Sequence, residues 1–149
     1  MRRLITLTGC LLTCALAAHG AAQANRKTQT AEDLNRAMKK IAPAQQALSK
    51  AIQSMAYADA KKQVEIIEVE LQDAQNFWVA KKRDDAIRFT QQTLVKTNAL
   101  KKLLDSKTPD QGAITTGYRD LGTACLTCHR VYRTTDDNNN FILKPGTVP

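Results

Sequence analysis

Two cysteines and a histidine stand within five consecutive residues near the C-terminus, in the run Cys125-Leu126-Thr127-Cys128-His129. This C-x-x-C-H pattern reads as the attachment site of a c-type haem. The reason is geometric: two thiols three residues apart can each form a thioether to one vinyl group of a single porphyrin. The adjacent imidazole then lies under the iron, with His129 Nε2 as the proximal axial ligand.

What else these side chains could do depends on the rest of the Cys and His inventory. The chain begins Met1-Arg2-Arg3, continues through an apolar run over 4–18, and reaches Ala22-Gln23-Ala24. A basic start, an apolar middle and an A-x-A site predict a secretory signal peptide over 1–24, cleaved after Ala24. The run falls short of the roughly 20 apolar residues that span a bilayer, so no stable membrane anchor is expected. Leu7-Thr8-Gly9-Cys10 resembles a lipidation box, but the apolar segment before Cys10 is too short for a signal of that kind. Cleavage removes Cys10, Cys14 and His19, leaving Cys125, Cys128 and His129 as the whole Cys and His content of an exported, periplasmic chain.

That inventory argues against three other chemistries. A structural zinc site needs about four ligands, and no further Cys or His completes one. A thioredoxin-like pair belongs at a helix N-terminus within a βαβ unit, whereas this pair falls late in a helix. A disulfide between Cys125 and Cys128 would strain a helical turn and leave His129 without a role. Export fits haem attachment, which takes place outside the bacterial cytoplasm.

The elements that must position the motif are helical. The chain has 149 residues, 43% of them hydrophobic and only 5% aromatic, with 6 Gly and 4 Pro. That size and mixture predict one globular, all-α domain and exclude collagen, wholesale disorder and an all-β fold. From Thr30, the positions Leu34, Met38, Ile41, Leu48, Ile52 and Met55 line one helix face. Thr30 with Asp33 resembles an N-cap and its acidic N3 partner, and Pro43 predicts a bend. A first turn is expected over 54–59. Val64, Ile67, Leu71, Ala74 and Trp78, widened by Ile66 and Phe77, give a second helix. After the charged break Lys81-Lys82-Arg83-Asp84-Asp85, a third runs over 85–106, with Ile87, Phe89, Leu94, Leu100, Leu103 and Leu104 facing inward. Thr108-Pro109-Asp110-Gln111 reads as a helix start with Thr108 as N-cap. The fourth helix then carries Ile114, Tyr118, Leu121, Cys125, Cys128 and Tyr132 on one face. Four helices joined by short loops predict an antiparallel up-down-up-down four-helix bundle over 25–135. The tail over 136–149 is expected as an exposed, frayed end.

The ending Cys125-Leu126-Thr127-Cys128-His129-Arg130-Val131-Tyr132-Arg133 resembles the class II c-type cytochromes, the cytochrome c-prime family, which close on C-x-x-C-H-x-x-[YF]-R. Asp33-Leu34-Asn35-Arg36-Ala37-Met38 is similar to the first helix of the low-spin, methionine-ligated members and of the related four-helix b-type cytochrome. The resemblance in architecture covers most of the chain after the leader, but only these two short motifs are specific. Pro43 and the tail beyond Arg133 depart from the pattern. The resemblance implies one covalent haem c on Cys125 and Cys128, with His129 and Met38 as axial ligands. It also implies Tyr132 packed against the haem, and Arg133 hydrogen bonding near the haem and its propionates. Leu34, Ile41, Tyr118 and Leu121 are expected to line the pocket.

Met38 is about two turns into the first helix and His129 is in the last turns of the fourth, so antiparallel neighbours bring both to one end. Met55 lies 17 residues beyond Met38, roughly 25 Å along the axis at 1.5 Å per residue, and cannot reach the same iron. A Met-ligated iron carries electrons. The competing reading, as in the c-prime members, is a five-coordinate iron that binds nitric oxide or carbon monoxide at an open distal face.

Without the leader the chain keeps 20 basic against 14 acidic residues, a net charge of +6. The paired lysines at 39/40, 61/62, 81/82 and 101/102 suit a solvated surface and salt-sensitive encounters with acidic redox partner proteins. No nucleic-acid recognition motif is present. A homodimer is compatible with the reading. No acid/base pair or nucleophile is grouped near the haem motif, so an enzyme is not expected.

Overall fold

The computed structural model describes residues 30–148, so the signal peptide expected over 1–24 lies outside the described residues. The fold consists of four helices, α1 (Ala31–Gln53), α2 (Tyr57–Ala80), α3 (Asp84–Leu104) and α4 (Gln111–Tyr132). They are followed by two short strands, β1 (Arg133–Thr135) and β2 (Phe141–Leu143).

Local chemistry sets the ends of these helices. Thr30 caps α1 with a complete capping box: its hydroxyl accepts from the Asp33 N–H at 3.2 Å, and the Asp33 carboxylate accepts from the Thr30 N–H at 2.8 Å. The first turn is tighter than the spacing predicts, only 54–56, with Met55 in the left-handed region at φ 58°. Helix α1 is continuous through Pro43, where a bend is expected. Pro43 is exposed, so water can satisfy the carbonyl that its missing N–H leaves free. Before α4 the cap is Asp110, not Thr108: the Asp110 carboxylate accepts from the Ala113 N–H at 2.8 Å.

Helices α1 and α2, α2 and α3, and α3 and α4 pack closely along their lengths, whereas α1 and α4 approach closely at few places. The larger core cluster joins Ile41, Leu48 and Ile52 of α1 to Val64, Ile67 and Leu71 of α2, Leu100 and Leu104 of α3, and Ile114 and Leu121 of α4. A second, smaller cluster holds Leu34, Ala74, Phe77, Trp78, Ala86 and Tyr132.

The α2 face is buried as its spacing predicts, except that Ile66 is 42% exposed. On α3 the buried stripe is Ala86, Thr90, Thr93, Thr97, Leu100 and Leu104, while Ile87, Phe89, Leu94 and Leu103 are only half-buried. Thr90, Thr93 and Thr97 can be buried because each hydroxyl donates to the carbonyl four residues earlier, at 2.9 Å. Gly117 of α4 permits a close approach to α3, since a Cβ there would stand 3.2 Å from Leu103 Cδ1. Among the described residues, no helix is long and apolar enough to cross a membrane.

The tail corrects an expectation: its strands pair antiparallel, Arg133 with Leu143 and Thr135 with Phe141. The polar run over 136–140 is the hairpin turn. The Asp136 carboxylate accepts from the Asn138 and Asn140 N–H groups at 2.9 and 2.8 Å, and Asn139 takes φ 60°. Leu143 and Val148 then pack on the smaller cluster, which folds the tail back onto the helices.

Candidate functional site

Cys125, Cys128 and His129 lie in the last two turns of α4. Both thiols are free, and both side chains are half-buried. Cys125 packs against the larger core cluster and Cys128 against the smaller one. Met38 of α1 packs against both clusters, so it stands where they meet. Leu34 is buried in the smaller cluster and Ile41 and Leu121 in the larger one, and the half-buried Tyr118 donates its hydroxyl to the Gln45 carbonyl at 3.4 Å. Met55, 63% exposed, is in the turn after α1, away from this group.

Burial controls the ionisation of the three motif side chains. It raises the Cys125 thiol, and it pushes Cys128 up to about 11, with the neighbouring Cys125 adding to the shift. Desolvation, reinforced by the positive charge of Arg133, pushes His129 down to about 4. At neutral pH the thiols are therefore protonated and the imidazole is neutral, the form that donates a lone pair to a metal. Among the described residues, neither ring nitrogen of His129 has a hydrogen-bond partner. His129 lines a shallow hollow together with Leu126, Arg133, Thr135 and Phe141.

These residues fit a covalently held haem. Two unpaired thiols sit one helical turn apart, a neutral imidazole follows them, and a thioether stands across the loosely packed α1/α4 seam. Among the described residues, no group of three or more His, Cys, Asp and Glu side chains is arranged to hold a metal ion.

Tyr132 and Arg133 are placed by other partners. Tyr132, 2% exposed, has its ring 4.6 Å from Trp78 and accepts a hydrogen bond from Arg83 Nη2 at 2.9 Å. Its own hydroxyl donates to the Asp85 carboxylate. The exposed Arg133 guanidinium lies 4.1 Å from the centre of the Phe141 ring.

Three residues at the site were not singled out by spacing. Gln45 donates from Nε2 to Cys125 Sγ at 3.6 Å, tying α1 to α4. It follows Met38 by two helical turns, a register that could have pointed to it. Phe141 lines the hollow beside His129 because the tail folds back, and Arg83 reaches Tyr132 from the turn between α2 and α3.

No protein-family model, no curated protein and no solved structure matches this chain.

Proposed function

We propose that the chain is a periplasmic monohaem c-type cytochrome that carries single electrons between redox partner proteins. In this reading it folds as an antiparallel up-down-up-down bundle of the class II type, with the haem near one end. Turns of three residues between α1 and α2 and between α2 and α3 support the up-down order. So does the pairing of chain ends: Gln111 at the start of α4 donates to the carbonyl of Ile52 near the end of α1, at 2.9 Å.

The observation that carries the proposal is the position of Met38, at the junction of the clusters that receive Cys125 and Cys128. Cys125 and Cys128 would hold the haem covalently, and His129 and Met38 would ligate its iron. The haem supplies a one-electron iron couple, and a Met ligand raises its potential. The buried Leu34, Ile41 and Leu121 would help keep water from that ligand set. The surplus of positive charge suits weak, salt-sensitive encounters with acidic partners.

The test is expression of the full chain with a c-type haem maturation system, followed by mass and absorption measurements. One covalent haem, lost in Cys125→Ala/Cys128→Ala, and a low-spin spectrum that carbon monoxide does not promptly alter are expected. A chain that leaves the maturation system without haem refutes the proposal. Prompt carbon monoxide binding by the reduced protein would replace electron carriage with binding of nitric oxide or carbon monoxide at an open distal site.

A further inference from the structure

The C-terminal segment is held to the helices at several separate points. The Lys144 N–H donates to the Tyr132 carbonyl at 2.8 Å, continuing the β1/β2 pairing to the end of α4. Leu143 and Val148 pack against the cluster of Leu34, Phe77, Trp78 and Tyr132. Arg83, in the turn between α2 and α3, then fastens the far end. Its Nη1 donates to the Thr147 carbonyl and its Nη2 to the Tyr132 hydroxyl at 2.9 Å, while the same nitrogen pairs with the Asp85 carboxylate at 3.3 Å. The guanidinium also lies 5.2 Å from the centre of the Tyr132 ring. One side chain thus joins the α2/α3 turn, the last residue of α4 and the end of the strap.

His129 precedes Tyr132 by one helical turn, and the strap residues Thr134, Thr135 and Phe141 line the same shallow hollow as His129. We propose that the strap over 133–148, latched by Arg83, caps the His129 side of the site. It fixes the end of α4 that bears the imidazole and limits water there. Arg83 is a positioning residue, acting through Tyr132 and Thr147, and the inference rests on His129 being the axial ligand. Supporting groups of this kind orient a metal ligand, and solvent access around it sets the redox potential. A loosened cap admits water that stabilises the more highly charged ferric iron, so the potential falls.

The experiment uses the full-length, haem-loaded chain and the variants Arg83→Ala, Arg83→Lys and Leu143→Ser. Hydrogen exchange at the hairpin amides and at Lys144 is measured together with the reduction potential. In Arg83→Ala these amides are expected to exchange at least tenfold faster while α1 and α2 keep their protection, and the potential is expected to fall. Arg83→Lys keeps the charge but loses the forked geometry, so it should follow the alanine variant. Leu143→Ser should do the same without altering charge, and it keeps the inference testable where an Arg83 variant fails to fold.

Unchanged hairpin exchange in Arg83→Ala and Leu143→Ser would overturn the latch. Faster exchange with a wild-type potential would reduce the strap to a docked tail and overturn the cap. A lysine variant with fast exchange but a wild-type potential would assign the fall seen in Arg83→Ala to the lost charge and likewise overturn the cap. A wild-type chain without haem refutes the cytochrome reading instead, a result that the exchange data distinguish from failure of the latch.

Discussion

The side-chain amide of Gln45 donates a hydrogen bond to Cys125 Sγ at 3.6 Å, linking the middle of α1 to the C-x-x-C-H motif of α4. This is a direct polar tie across the seam where the two helices otherwise approach closely at few places. Gln45 also accepts from the Tyr118 hydroxyl through its backbone carbonyl, so one residue meets α4 at two successive levels.

Removing the Gln45 amide should loosen that seam. In the haem-free chain, Gln45→Ala is expected to lower unfolding stability by about 0.5–1.5 kcal/mol, the usual net worth of a single hydrogen bond. Urea unfolding checks the value. An unchanged midpoint would show that the bond to sulfur contributes nothing.

Met38 should decide the spin state. In the haem-loaded protein, Met38→Ala is expected to convert low-spin to high-spin iron and to admit carbon monoxide, read by absorption spectroscopy. A spectrum indistinguishable from wild type would reject Met38 as the ligand.

The core should respond to cavities regardless of haem. Leu48, fully buried in α1, packs in the cluster shared by all four helices. Leu48→Ala is expected to cost about 2–5 kcal/mol in thermal or urea unfolding. A loss below about 1 kcal/mol would mean that this cluster is not tightly packed.

The Asp85/Tyr132 pair should bracket stability at both ends of the pH scale. Hydrogen bonds from Tyr132 and then Arg83 hold the Asp85 carboxyl down at about 2, below its ordinary value. A depressed acid stabilises the fold above its unfolded pKa and loses that contribution as pH falls, here between about 4 and about 2. Burial, then the Asp85 carboxylate, pushes the Tyr132 phenol up to about 12. Its contribution is complete below pH of about 10 and is lost between about 10 and about 12. Unfolding midpoints measured across pH should therefore fall in both windows, and Tyr132→Phe should flatten both limbs. A variant with an unchanged profile would show that the pair is not coupled to folding.

Much of the frame was legible without coordinates. The 3-4 spacing of Leu34, Ile41, Leu48 and Ile52, and of Val64, Ile67, Leu71 and Trp78, marks the buried faces of α1 and α2, because a helix repeats its side-chain direction every 3.6 residues. The Thr30/Asp33 capping box is equally local. Reading α3 was harder because half of its buried face is threonine, a residue that spacing alone assigns to solvent. The back-bonded hydroxyls that make its burial tolerable are geometric facts.

The sequence by itself determined that two thiols and an imidazole stand together at Cys125, Cys128 and His129, because their types and separations are covalent facts that one helical turn preserves. It also determined the helical frame, since periodicity and caps act over a few residues. Only the tertiary structure decided that Gln45 reaches Cys125, that Tyr132 turns to Trp78 and Asp85, and that the Asp136 to Asn140 run closes a hairpin held by Arg83. Each of these contacts except the hairpin turn joins residues far apart in the chain. Their partners are selected by how whole helices pack, not by any local pattern. The turn itself was visible as a polar run, but only the docking of Leu143 and Val148 made it part of a fold rather than a loose end.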